Sequence, residues 1–116
     1  AQLKINLDDQ IKFFKTHHAY WSFGKDRFTD NQNTLGVIYI IRDPRNVITS
    51  YKNFENQTYE NIIKNMIDEE GFLLSNKSTF KKFGIKGIEV ISSWARHYNS
   101  WVHNNTNIPI CLIKYD

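Results

Sequence analysis

Cysteine is almost missing: Cys111 is the only one in 116 residues. A lone thiol excludes an internal disulfide framework and favours a reducing compartment, so a cytoplasmic location is expected. No apolar run approaches the roughly 18 residues that a membrane span needs. The opening stretch AQLKINLDDQ lacks the apolar h-region that marks a signal peptide. No CxxC, no HExxH and no cluster of carboxylates offers a metal-ligand set, so no metal is expected. Excess charge is small as well. Fifteen Lys and Arg against 12 Asp and Glu leave +3, too little to argue for nucleic acid and enough to suit an anionic small molecule. Internal repeats and low-complexity segments are lacking too.

What remains is enough for a core: 41% of the residues are hydrophobic and 15% aromatic, in a length that suits one domain or part of one. Three apolar runs read as strands: Ile11–Lys15, Val37–Arg42 and Ile110–Tyr115. VIYIIR is rich in β-branched residues and predicts a strand buried on both faces. ICLIKY follows Pro109, where a strand begins without losing a ladder hydrogen bond. Helices are predicted between them. In RDPRNVITSYKNF, Asp43 suits an N-cap, Pro44 suits the first helical position, and Val47, Tyr51 and Phe54 form one apolar stripe. A second helix is expected from about Thr58 to Glu69, with Tyr59, Ile62, Ile63, Met66 and Ile67 inward. A third is expected from about Ile88 to His103, burying Ile91, Trp94, Tyr98, Trp101 and Val102. Residues 71–87 read as a loop or lid. Strands separated by helices predict an α/β fold with a parallel sheet, whose ligands gather at the carboxyl ends of the strands.

The polar residues of interest fall at those ends. Arg42 closes the second strand, and Ser50 follows eight residues later, in the next helix. A guanidinium fork fits phosphate in a bidentate way, and a hydroxyl adds a neutral donor. Spacing alone equally fits a surface ion pair for Arg42 and an ordinary helical serine. Near the first strand's end, FFKTHHAYW offers Lys15, His17 and His18. Imidazoles as a class titrate near pH 6.5 and suit proton abstraction, and an ammonium stabilises developing negative charge. Tyr20, Trp21 and Phe23 suit either the wall of an apolar acceptor pocket or a hydrophobic loop anchor. Lys77, Lys81, Lys82 and Lys86 suit a solvated loop face or a lid over an anion.

The pattern R-x-P-[RK]-[DN]-V-x-x-S-Y directly after a buried strand resembles the 3′-phosphate motif of the sulfotransferases. It stands here as Arg42, Pro44, Arg45, Asn46, Val47, Ser50 and Tyr51. The resemblance implies a P-loop-like α/β fold and transfer of a sulfuryl group from 3′-phosphoadenosine 5′-phosphosulfate (PAPS) to a small-molecule hydroxyl or amine. Adenosine 3′,5′-bisphosphate is the implied product. Arg42 and Ser50 are the implied 3′-phosphate ligands. K-T-H at residues 15–17 is similar to the cytosolic-type motif, implying His17 as base and Lys15 as charge stabiliser, with His18 the competing base one residue away. Tyr115 matches the aromatic residue that lies near adenine, and Asp116 stands where Glu is usual. Trp94, His97 and Trp101 match the family's W-x-x-H-x-x-x-W helix and read as packing. No segment resembles the 5′-phosphosulfate loop or the later G-x-x-G-x-x-K segment, so residues 1–116 are expected to be the central part of one sulfotransferase domain, inactive by itself. Two other readings are a P-loop kinase-like phosphotransferase and a non-catalytic nucleotide-binding module.

Overall fold

The computed structural model describes residues 10–74, 88–103 and 107–115. Its organising unit is a pair of six-residue strands, β3 (Val37–Arg42) and β6 (Ile110–Tyr115), hydrogen-bonded in parallel from Val37 opposite Ile110 to Arg42 opposite Tyr115. Parallel neighbours need a long crossover, and here it contains the helices. Before β3 comes a short hairpin of β1 (Ser22–Phe23) and β2 (Asp26–Arg27), turned at Gly24, whose φ of 60° suits glycine. After β3 come α1 (Pro44–Glu55) and α2 (Tyr59–Ile67). An antiparallel pair, β4 (Phe72–Leu74) and β5 (Ile88–Val90), follows, and then α3 (Trp94–Val102). The α/β class with a parallel sheet is therefore present.

Local chemistry accounts for the helix starts. The Asp43 carboxylate accepts the Arg45 N–H at 2.9 Å, with Pro44 at the head of α1. Thr58 and Ser93 cap α2 and α3 through their hydroxyls. Asn56 ends α1 in the left-handed region and donates its N–H to the Lys52 carbonyl. The buried core holds Ala19, Ile62, Trp101 and Ile108, and Ile62 is 0% exposed.

Several expectations are corrected. Ile11–Lys15 is not a strand: no strand lies beside it among the described residues, and without a ladder an apolar run has nothing to pair with. Phe13 is 87% exposed there. β3 is covered on one face only. Val37, Tyr39 and Ile41 are half-buried, whereas Ile38 and Ile40 are 60% and 66% exposed, the alternation of a strand packed on one side. In α2 only Ile62 is fully buried. Tyr59, Ile63 and Ile67 stay exposed: α2 packs against α1 and α3 and leaves an open apolar groove of about 370 Å³ between them. Phe54 leaves the expected α1 stripe and is exposed.

The third helix begins at Trp94, not near Ile88. Ile88–Val90 pairs with β4, and the Ile91 and Ser92 N–H groups both donate to the Gly71 carbonyl, at 3.1 and 2.9 Å. Ser92 then turns the chain at φ 59°, and Ser93 caps the helix. Gly71 is needed at this crossing: a Cβ there would stand 3.1 Å from the Asp68 carbonyl oxygen. Residues 75–87, most of the expected lid with its four lysines, lie outside the described residues.

Among the described residues β3 and β6 each pair along one edge only, and their shared outer face carries Ile38, Ile40 and Ile113 in the open. Such a surface associates. Residues 1–116 expressed alone are expected to bind a hydrophobic dye such as ANS and to self-associate as concentration rises. Sedimentation velocity checks this; a dye-silent monomer across the range would contradict it.

Candidate functional site

The parallel register brings two of the singled-out residues together. Arg42 and Tyr115 are Cα partners at the carboxyl ends of β3 and β6, and the guanidinium carbon lies 5.4 Å from the Tyr115 ring centroid. The Arg42 Nε is buried and, among the described residues, has no hydrogen-bond partner. A buried guanidinium N–H without an acceptor is costly, and an anion is the acceptor it matches.

The nearest carboxylate in sequence does not serve Arg42. Asp43 accepts from Arg45 as a fork, with Arg45 Nε at 3.0 Å and Nη2 at 2.6 Å. These bonds, followed by the Arg45 backbone N–H, hold the Asp43 carboxyl down to about 2. Asp43 is thereby committed to α1 and to Arg45. Ser50 lies exposed in α1, and among the described residues no hydrogen bond joins its hydroxyl to Arg42. Tyr115 keeps a largely exposed ring, and Asp116 lies outside the described residues.

Lys15 and His17 are exposed on the segment before the hairpin, which is fastened at many points. The His97 ring bridges two elements: its Nε2 is 3.1 Å from the His17 carbonyl and its Nδ1 is 2.8 Å from the Tyr39 hydroxyl. A carbonyl only accepts, so Nε2 carries the proton and Nδ1 accepts from Tyr39. The Trp101 indole N–H donates to the His18 carbonyl at 2.9 Å, and the Tyr20 N–H donates to Ser100 Oγ at 2.9 Å. The Val90 N–H donates to His18 Nδ1 at 3.1 Å, while the His18 ring rests against Phe28. The two adjacent histidines are thus unlike: His18 is half-buried and bonded through its ring, whereas His17 is bonded through its backbone and keeps an exposed side chain.

Of the aromatic run, Tyr20 packs edge-on against Trp101 and donates its hydroxyl to the Thr29 carbonyl at 2.7 Å, and Trp21 is half-buried. The Phe23 side chain lies outside the described residues. Tyr39 and Ser100 were not singled out from sequence. A signal for Tyr39 existed: a phenol inside an aliphatic strand requires a partner for its hydroxyl once buried. Burial, then the neighbouring Tyr98, pushes the Tyr39 phenol up to about 12. Among the described residues no helix is long and apolar enough to cross a membrane.

Burial also lowers the His97 pKa from its ordinary value, partly opposed by the bond to the His17 carbonyl, with His17 and His18 adding repulsion. Tyr39, Tyr98, His17 and His18 are the titratable groups around it. A depressed folded pKa stabilises the fold above the unfolded value near 6.5, and that stabilisation is lost as pH falls through the folded value. The full-length protein is expected to melt at lower temperature as pH drops from 7 to 5, with a shallower drop in His97→Gln. Calorimetry across that range checks it; parallel curves for the two would contradict it.

The chain matches the model of the Sulfotransferase domain family over residues 2–116. No curated protein and no solved structure matches it. The family match spans nearly the whole chain and agrees with the parallel strand pair and the capped helix after Arg42: this chain belongs to the sulfotransferase domain family.

Proposed function

We propose that the protein is a PAPS-dependent sulfotransferase acting on a hydroxyl or amine of a small molecule, with His17 as general base. The observation that carries this reading is the Arg42 guanidinium, whose Nε is buried beside the Tyr115 ring with no hydrogen-bond partner among the described residues, while Asp43 is taken by Arg45. A 3′-phosphoadenosine fits that pair chemically: the fork receives phosphate, and a flat ring offers a face for a base. Ser50 adds its hydroxyl to the same phosphate. Bound PAPS supplies the sulfuryl group, whose bond to the phosphate oxygen breaks as a new bond to the acceptor oxygen or nitrogen forms.

His17 takes the acceptor proton. His18 is less suited, since its Nδ1 lone pair already accepts the Val90 N–H and its neutral ring has no second lone pair to offer. Lys15 stabilises the negative charge developing on the transferred group or the leaving phosphate. The chain serves as the central part of the domain, with the 5′-phosphosulfate end of the donor held by residues outside 1–116; that β3 and β6 pair along one edge only among the described residues is in keeping with this reading. The free, exposed thiol of Cys111 supports a cytoplasmic enzyme.

The experiment is an assay of two variants in the full-length protein with PAPS and a panel of phenols, alcohols and amines. His17→Ala is expected to lower kcat by on the order of 100-fold or more while leaving nucleotide affinity nearly unchanged. Wild-type turnover in that variant together with an inactive His18→Ala would overturn the assignment of the base. Arg42→Ala loses a charged phosphate contact of about 1.5–3 kcal/mol. It should weaken adenosine 3′,5′-bisphosphate by about 10- to 100-fold while changing AMP far less. Equal weakening of both nucleotides, read by calorimetric titration, would overturn the phosphate assignment.

A further inference from the structure

His97 does more than fill space. It stands on α3, one helical turn before Trp101, and the two ring N–H groups reach two successive carbonyls, His97 to His17 at 3.1 Å and Trp101 to His18 at 2.9 Å. Behind it the Tyr39 hydroxyl holds Nδ1 at 2.8 Å, from the middle of β3. A ring held at both nitrogens is fixed in tautomer and in plane. The N–H of His18 closes a small turn on the Thr16 hydroxyl at 3.0 Å, so the backbone on both sides of His17 is held. The result is a relay from the sheet, through α3, to the peptide that carries His17. Only the His17 side chain is left out of it.

We propose that His97, set by Tyr39, is a positioning residue for His17: by clamping the His17 carbonyl it fixes the direction in which that imidazole meets the acceptor. The inference rests on the reading of His17 as base. A general base must lie within hydrogen-bond reach of the proton it removes, and a displacement of about 1 Å costs on the order of 100-fold in rate. Tyr39 and Arg42 share one strand, three residues and about 10 Å apart at roughly 3.3 Å per residue. One rigid element therefore sets both the anion-binding end and, through His97, the base.

A double-mutant cycle in the full-length protein tests this, with single-turnover rates at saturating PAPS and acceptor. His97→Phe keeps a ring but removes both hydrogen bonds. It is expected to lower the rate by about 10- to 100-fold, with nucleotide affinity and KM within about twofold of wild type. His97→Gln, which keeps an N–H for the carbonyl, is expected to recover most of the rate. In a His17→Ala background His97→Phe should cost nothing further, because the group it orients is gone. An equal fold-loss in both backgrounds, read on the residual single-turnover rate of His17→Ala, or no loss from His97→Phe in the wild-type background, overturns the positioning role. An active His17→Ala overturns the base assignment instead, so the two failures are distinct. If His97→Phe does not fold, Tyr39→Phe carries the same cycle and faces the same criteria.

Discussion

The parallel pairing of β3 with β6 is the constraint on which the rest depends. Its register, Val37 on Ile110 through Arg42 on Tyr115, joins residues more than seventy positions apart and sets a guanidinium over a phenol ring at the strand ends. Everything between the two strands has to return the chain to that register. The Val37 N–H starts the ladder by donating to the Pro109 carbonyl at 2.9 Å, and close approach at Gly36 allows it, since a Cβ there would stand 3.3 Å from the same oxygen. One face of this small sheet receives α3 through Tyr39, which meets both His97 and Tyr98.

The covered and bare faces divide the labour. On the covered face Tyr39, His97, Ser100, Trp101 and His18 form a mesh of hydrogen bonds. Such a mesh in a partly dry setting holds geometry more tightly than apolar packing would. The bare face and the groove beside α2 are apolar and unspecific by comparison. The hydrogen bonds of this mesh fasten residues 16–20, just after Lys15.

What sequence revealed and what it hid follow the range of the forces involved. Asp43, Pro44, Val37–Arg42 and Ile110–Tyr115 were legible because capping, proline geometry and β-branched runs act over a few residues. Ile11–Lys15 looked equally strand-like, yet a strand is defined by its neighbour, which no local pattern encodes. The start of α3 was hidden for a related reason: apolar spacing continues through Ile88 and Ile91, but the Gly71 carbonyl, twenty residues upstream, claims the N–H groups that would extend the helix. At the site, Arg42 and Tyr115 were each visible as residues, while their meeting required the register. His97 was visible as a helix-face histidine, and the carbonyl it holds was not, because that contact spans eighty residues.

The Asp43–Arg45 fork has a consequence for how freely this stretch tolerates change. Arg45 is exposed, so it has the profile of a replaceable surface residue. Yet its guanidinium is what occupies the carboxylate next in sequence to Arg42. Take Arg45 away and the Asp43 carboxylate loses the fork that holds its pKa down, leaving an uncommitted anion next in sequence to Arg42. Arg45 therefore matters more to the charge balance of this stretch than its exposure suggests.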